Sequence, residues 1–131
     1  MKKKYIILTI IWMFFIFMMS HTPGNTSSKQ SNFIVEFIIQ ILPIARDTLS
    51  FIVRKCAHMS EYAILLLLVY KSYPSLSIAF ITSFIYACSD EFHQLFIPGR
   101  AGLLQDVLID CTGALIMLLI IYLKNKKTNK V

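Results

Sequence analysis

Apolar residues fall into four long stretches of the chain, separated by shorter polar segments. Each stretch approaches the roughly 20 residues that an α-helix needs to cross a bilayer. The pattern predicts an all-α membrane protein, a bundle of about four transmembrane helices in a single domain over residues 1–131. The predicted spans cover about residues 5–20, 57–71, 76–89 and 106–123.

The segment between the first and second predicted spans is amphipathic. Glu36 and Gln40 are four residues apart and so share one helical face. Pro43 interrupts the segment, and charged residues follow it. We therefore expect interfacial helices over about residues 32–53 rather than a further span.

The first apolar stretch is compatible with a secretory signal peptide or with an uncleaved anchor helix. Lysines precede it, as in a signal peptide. Its core, however, is bulky, with Trp12 and Phe14, and residues 20–24 are a poor match to a small-x-small cleavage site. We expect an anchor helix that is retained.

Charge is distributed unevenly along the chain. All seven acidic residues lie in its interior, whereas both ends carry lysine and no acid. With a cytoplasmic amino terminus, four spans place eight of the 13 basic residues inside and five outside, in agreement with the positive-inside rule. The sequence thus predicts a multi-pass cell-membrane protein with both termini in the cytoplasm and its acidic residues on the outer side.

Composition narrows the class of partner. Only 15% of the residues are charged, against about 25% in soluble domains, which makes the lipid bilayer the expected environment. The net charge of +6 does not indicate nucleic acid, because the surplus lysines flank apolar spans. Cys56, Cys88 and Cys111 have no zinc-type spacing, so no metal or other cofactor is expected.

A first polar cluster begins the second predicted span. Arg54, His58 and Tyr62 are spaced by four residues, and Glu61 falls on the same helical stripe. Ionisable groups in a span are costly and normally face the bundle interior. The cluster, which also includes Lys55, could be a structural ion pair between helices or a functional site.

A second polar cluster follows the third predicted span. The adjacent carboxylates Asp90-Glu91 repel each other and require a cation or a proton nearby. Pro98-Gly99 is a turn signal that would direct Arg100 back toward the membrane surface. The planar guanidinium of Arg100 suits a carboxylate or a phosphate. If the helix continues beyond the span, one face holds Asp90, His93 and Gln94.

A third polar cluster begins the fourth predicted span. Asp106 and Asp110 are four residues apart, and Gly113 lies almost one turn further, where it would allow another helix to approach closely. Asp110 is surrounded by apolar neighbours in sequence and needs a basic partner. The expected partners are Arg54, Lys55 and Arg100.

The order and spacing of these residues resemble the VanZ-like family of small bacterial membrane proteins. The motifs are Arg54-Lys55-x-x-His58-x-x-x-Tyr62, Asp90-Glu91-x-x-Gln94-x-x-x-Pro98-Gly99-Arg100 and Asp106-x-x-x-Asp110-x-x-Gly113. The resemblance covers about residues 33–123, although the family more often has Asn at the position of Asp110. It implies a multi-span bacterial envelope protein. The name-giving member is associated with low-level resistance to the glycopeptide teicoplanin.

The favoured hypothesis is that the outer polar cluster binds a lipid-linked cell-wall precursor or a glycopeptide, with arginines holding phosphate or carboxylate. The expected ligand-binding residues are Arg54, Lys55, His58, Glu61, Tyr62, Asp90, Glu91, Gln94, Arg100, Asp106 and Asp110. The sequence does not indicate an oligomeric state.

Two alternatives stay open. The first is an interfacial enzyme acting on a lipid-linked substrate, with His58 or His93 as general base or metal ligand and an acid or further ligand from Asp90, Glu91, Asp106 or Asp110. The main catalytic candidates are His58, Glu91, His93 and Asp110. The sequence has no HExxH or GxSxG motif to support it. The second alternative is a structural bundle that supports a partner, in which the polar cluster only holds helices together.

Overall fold

The computed structural model of the protein describes residues 2–23, 32, 34–41 and 45–128, and these residues form four long α-helices. The helices are α1 (Lys3–Ser20), α2 (Arg46–Ser72), α3 (Leu76–Gln94) and α4 (Leu104–Thr128). Residues 34–39 are also helical. The described part of the chain contains no strand, which confirms the all-α class.

Helix ends follow local sequence signals. Pro74 comes directly after the C-cap of α2, and the Ser75 hydroxyl caps α3 by accepting a hydrogen bond from the Ile78 amide at 3.4 Å. After α3, Gly99 has a φ of 73°, and the Arg100 amide donates to the Ile97 carbonyl at 3.1 Å. This geometry is a tight turn with glycine in the left-handed position, so the predicted turn is confirmed.

One predicted boundary is wrong. The sequence predicted an interfacial segment ending near residue 53 and a separate span from residue 57, whereas α2 runs without a break from Arg46 to Ser72. The physical reason is that no proline or glycine occurs between Ala45 and Tyr73, so nothing interrupts the backbone hydrogen bonds. Residues 33 and 42–44 of the predicted interfacial region lie outside the described residues, and its interfacial placement stays a prediction.

A second predicted boundary also differs. The third predicted span ended at residue 89 and the fourth began at 106, but α3 continues to Gln94, and α4 already begins at Leu104. The connection is therefore only residues 95–103. Asp90 and Glu91 lie on the last turns of a helix, because no proline or glycine interrupts the chain between Ser75 and Ile97.

The helices alternate in direction. At the start of α1, the Lys2 amide donates to the Ser72 carbonyl at 3.3 Å, and the hydroxyls of Thr9 and Ser72 lie 3.2 Å apart. At the end of α4, Asn125 donates to the Tyr70 hydroxyl at 2.7 Å. The start of α1, the end of α2 and the end of α4 therefore meet at one end of the bundle. We call it the basic end (residues 2–5, 70–74 and 122–128).

Helix α2 is the central element and contacts the other three helices. The buried core is mostly aliphatic and consists of Ile16, Tyr62, Leu65, Leu66, Val69, Ala79, Ala87, Val107, Cys111, Ala114 and Ile121. A Cβ atom on Gly113 would lie 2.0 Å from the Met59 carbonyl oxygen, so the backbones of α4 and α2 touch there. The predicted close approach at Gly113 is confirmed.

The outer surface of the bundle is apolar. Helices α1 and α4 are long and apolar enough, by length and composition, to cross a membrane. Ile10 and Phe14 of α1, for example, are 62% and 64% exposed. Soluble proteins rarely expose large contiguous apolar surfaces, so this surface is suited to lipid.

Candidate functional site

All four helices bring polar side chains to the end of the bundle opposite the basic end. This polar end comprises residues 20–23, 54–62 and 89–110. A cavity of about 150 Å³ opens there. Its walls are formed by Phe51, Arg54, Lys55, His58, Gln94, Gly99, Arg100, Ala101 and Asp106. Three cationic side chains and one carboxylate share these walls, so the lining carries a net positive charge.

An ion pair between α2 and α4 forms one side of the cavity. Lys55 binds the carboxylate of Asp106, and both side chains are about one-fifth exposed. The Lys55 ammonium also lies 5.2 Å from the centre of the Phe51 ring. Because Lys55 is engaged by Asp106, the prediction that it partners Asp110 is wrong.

Arg100 joins the connection between α3 and α4 to the end of α1. Its Nε donates to the Thr22 carbonyl at 2.9 Å, and its Nη2 donates to the Met19 carbonyl at 3.0 Å. These carbonyls belong to the end of a helix, where a cation is favourable. Burial lowers the pKa of the Arg100 guanidinium, while the nearby carboxylates of Asp90 and Glu91 raise it. The sequence predicted the turn, but it did not predict that Arg100 would bind the end of α1.

The adjacent carboxylates Asp90 and Glu91 are buried, and Gln94 bridges them. The Gln94 amide nitrogen lies 3.3 Å from Asp90 Oδ2 and 3.2 Å from Glu91 Oε1. The Leu103 amide donates to the other Glu91 oxygen at 3.1 Å. Gly102 packs so closely that a Cβ atom would lie 2.2 Å from the Glu91 carbonyl oxygen. The connection thus folds tightly over the end of α3. The neutral donors of Gln94 and Leu103 partly stabilise the two adjacent carboxylates, a role that was expected of a cation or a proton.

Asp110 lies behind the cavity, facing His58. Its Oδ1 is 3.6 Å from His58 Nδ1, and Asp110 is only 1% exposed. Within the described residues, neither Asp110 oxygen has a hydrogen-bond partner, and the same holds for His58 Nδ1 and the Tyr62 hydroxyl. The prediction that Asp110 pairs with Arg54, Lys55 or Arg100 is therefore wrong, since its nearest basic group is an imidazole. Buried polar atoms without partners are rare and call for an explanation.

The remaining residues of the first motif take different positions. Tyr62 is fully buried in the core, behind the cavity wall. Glu61 Oε2 lies 3.9 Å from His58 Nδ1, and the Glu61 carbonyl accepts a hydrogen bond from Trp12 Nε1 at 2.9 Å. Arg54 is exposed and lines the cavity. The helical stripe predicted on α2 thus begins at the exposed guanidinium of Arg54 and ends at the buried phenol of Tyr62.

His93 does not line the cavity. Its Nε2 lies 3.1 Å from His21 Nδ1, and the Phe17 ring packs 4.7 Å from the His93 ring centre. This contact fastens the end of α3 to the end of α1. Of the four catalytic candidates, the structure therefore groups His58 and Asp110 at the cavity, leaves Glu91 buried under Leu103, and places His93 elsewhere.

Metal ligation has little geometric support in the described part of the chain. There, no group of three histidine, cysteine or carboxylate side chains is arranged to hold an ion. The three cysteines are free thiols, with Cys111 buried and the other two exposed.

Several contacts at the site were not anticipated from sequence. Tyr86 donates to the Met13 carbonyl at 2.5 Å, and Trp12 and His21 also connect α1 to the polar end. None of these residues belongs to a polar motif. They lie in or next to apolar stretches, so no local sequence signal marked them.

These features define an all-helical protein with an apolar outer surface and a cavity lined by cationic side chains at one end. The chain belongs to the VanZ/LLP1 family, which matches residues 5–125. The match confirms the resemblance seen in the motifs and extends it through α1. No curated protein and no solved structure matches the chain. Membership of this membrane-associated family, together with the two apolar helices, indicates a membrane location.

Proposed function

We propose that the chain crosses the membrane four times, with the polar end at the extracytoplasmic boundary. Helices α1 and α3 have 18 and 19 residues. At about 1.5 Å per residue they approach the roughly 30 Å hydrocarbon thickness. Helix α3 exposes apolar residues along its length, although its composition is less apolar than that of α1: Ile78, Ile81, Phe84 and Ile85 are 43–61% exposed.

The basic end supports this orientation. Its charged residues in the described part of the chain are all lysines, at positions 2–4, 71, 124, 126 and 127. Lysine is enriched in cytoplasmic segments close to the ends of spans. With the basic end in the cytoplasm, both ends of the chain are cytoplasmic, and the cavity faces outward.

At that boundary, the cavity binds the anionic head group of a lipid-linked cell-wall precursor or of a lipid-tailed glycopeptide. The observation that carries this proposal is that Arg54, Lys55 and Arg100 line the cavity, whereas Asp106, the single lining carboxylate, is paired with Lys55. Arginine forms charge-assisted, bidentate hydrogen bonds with phosphate and carboxylate. A volume of about 150 Å³ accommodates one such group, so the remainder of the ligand lies outside.

The lipid tail of the ligand lies along the neighbouring surface of α2 and α4. A shallow apolar groove of about 240 Å³ occurs there, lined by Cys56, Met59, Ser60, Ala63, Gly113 and Ile116. The same turns of α2, residues 54–60, contribute side chains to both the cavity and the groove. Holding such a ligand at the outer face would reduce the access of glycopeptide to its target and give low-level teicoplanin resistance.

The test is direct binding to the purified protein in detergent, with fluorescent teicoplanin and a fluorescent lipid-linked precursor as probes. Arg54→Gln removes an exposed cavity cation, and we expect affinity to fall about tenfold, since a hydrogen bond to a charged group contributes about 1.5–3 kcal/mol. Arg46→Gln, an equal change of charge on the same helix but outside the cavity, is the control. Equal affinity of wild type and Arg54→Gln for both probes would contradict the proposal.

A further inference from the structure

One side chain of the cavity wall has a buried acid directly behind it. His58 lines the cavity, and its Nδ1 faces Asp110 Oδ1 at 3.6 Å. Because Nδ1 faces Asp110, the other ring nitrogen, Nε2, is the one available to a ligand in the cavity. Asp110 Oδ1 is nearer to Nδ1 than Glu61 Oε2, which lies 3.9 Å away. A buried carboxylate beside one ring nitrogen of an imidazole that lines a cavity is the arrangement of a general base and its positioning residue.

We propose that His58 and Asp110 hydrolyse a phosphoric ester or anhydride in the head group held by the cavity, an inference that rests on the anionic ligand proposed above. His58 is the catalytic base, and Asp110 is a positioning residue that acts through it. The chemistry required of the ligand is a phosphorus–oxygen bond within reach of His58 Nε2.

In this reaction, Asp110 accepts a hydrogen bond from the Nδ1–H of His58, which keeps Nε2 unprotonated. Nε2 takes a proton from a water molecule as the water oxygen bonds to phosphorus. The bond from phosphorus to the leaving oxygen breaks, and that oxygen receives the proton from His58. The products are the phosphate and the alcohol or phosphate that was joined to it, and no oxidant or reductant is needed.

The other walls of the cavity suit this step. Arg54, Lys55 and Arg100 surround the space in which the phosphoryl oxygens would lie, and preorganised cations stabilise the charge that develops on them. The 3.6 Å separation is longer than a hydrogen bond, but catalytic hydrogen bonds are often long before ligand binds. A catalytic role also accounts for Asp110, which is buried and, among described residues, has no hydrogen-bond partner.

The geometry separates His58 from the other candidates. His93 is occupied by its contact with His21 outside the cavity, and Glu91 accepts hydrogen bonds from Leu103 and Gln94. Neither is positioned to take a proton from water in the cavity. The contrast provides a matched control, because His93→Gln and His58→Gln make the same chemical change at the same end of the bundle.

The experiment uses full-length protein reconstituted in phosphatidylcholine vesicles that contain a long-chain polyprenyl diphosphate. Binding of this lipid and release of inorganic phosphate are measured separately, and the reaction is run in ¹⁸O-labelled water. We expect one labelled oxygen in the released phosphate. His58→Gln should lower kcat about 100-fold or more, and Asp110→Asn should lower it to a smaller extent, with KM and thermal stability nearly unchanged. His93→Gln should retain wild-type kcat.

The outcomes distinguish this inference from the proposed function. If wild type binds the diphosphate and releases no phosphate, the dyad is refuted while the binding function stands. If wild type does not bind the diphosphate, teicoplanin or the lipid-linked precursor, both fail. If wild type releases phosphate and neither His58→Gln nor Asp110→Asn slows the release, the catalytic pair of His58 and Asp110 is also refuted. If Asp110→Asn does not fold, His58→Gln, at a partly exposed position, decides alone.

Discussion

The two ends of the bundle are held together by different interactions. At the basic end, the contacts among described residues are neutral hydrogen bonds, such as Asn125 with Tyr70, and a cation–π contact in which Lys71 lies 5.4 Å from the centre of the Tyr5 ring. At the polar end, an ion pair, a partly buried arginine and several buried carboxylates lie between the helices. One bundle therefore closes its two ends in two ways.

The difference indicates that folding does not by itself explain the charges of the polar end. Buried ion pairs are often replaced by apolar residues with little loss of stability, and ionisable groups near lipid are costly. The basic end demonstrates that these helices can be closed without buried acids. The comparison therefore supports the proposal that these charges serve ligand binding, and the following predictions test it.

The largest effect on stability is expected between the two ends, at Gly113. Gly113→Val would place a branched side chain where even a Cβ atom lies 2.0 Å from the Met59 carbonyl, so α2 and α4 must separate. We expect a loss of about 3 kcal/mol or more. Unfolding in detergent measures it, with Thr112→Val, an exposed neighbour on the same helix, as the control. Similar stability of both variants would show that the helices do not touch here.

Next in size is the connection of Arg100 to α1. Arg100→Gln removes two charge-assisted hydrogen bonds to helix-end carbonyls, and we expect a loss of about 2–3 kcal/mol. Asn125→Ala removes one neutral hydrogen bond at the basic end and should cost about 1 kcal/mol. Both variants are compared by unfolding in the same detergent. Equal losses would mean that the two ends do not differ as described.

A double-mutant cycle at Lys55 and Asp106 separates structure from binding. Because the pair is partly buried, we expect a coupling of about 1–2 kcal/mol. The double variant Lys55→Met, Asp106→Leu should recover most of the stability, since an apolar pair replaces the charges. Its affinity for teicoplanin and for the precursor should remain lower than that of wild type, because a cavity cation is missing. Recovery of binding together with stability would favour a structural bundle.

The smallest effect is expected at the exposed pair of Arg46 and Glu36, whose atoms are 2.5 Å apart. Both side chains are more than half exposed, and such pairs contribute about 0.5 kcal/mol or less. Arg46→Ala should leave the unfolding midpoint nearly unchanged. A shift as large as that of the Lys55 variants would show that this contact anchors the start of α2.

Sequence patterns located the helices because apolar periodicity and proline or glycine positions act locally. They also indicated the turn at Pro98-Gly99 and the close contact at Gly113. Patterns failed where the outcome depends on which helices become neighbours. Asp110 faces His58 rather than a lysine or arginine, and Arg100 reaches α1, because side-chain partners between helices depend on packing that spacing along the chain does not encode.

The contacts that α1 makes with the other helices could not be predicted from sequence patterns either. His21, at its carboxyl end, contacts His93, and Trp12 reaches Glu61, yet α1 carries no motif. An apolar helix gives no indication in sequence of which of its few polar atoms will meet another helix. The site could therefore be outlined from α2, α3 and α4, but its closure by α1 required the structure.

The central claim is that the polar end lies at the outer face of the membrane. It is tested most directly by labelling intact cells with a membrane-impermeant maleimide, in a background of Cys56→Ser, Cys88→Ser and Cys111→Ala. Single cysteines are placed at the exposed positions Phe96 and Ala101 of the polar end, and at Tyr73 and Lys126 of the basic end. We predict labelling of Phe96→Cys and Ala101→Cys from outside, and of the other two only after permeabilisation. Labelling of Tyr73→Cys and Lys126→Cys in intact cells, without the polar-end cysteines, would contradict the account.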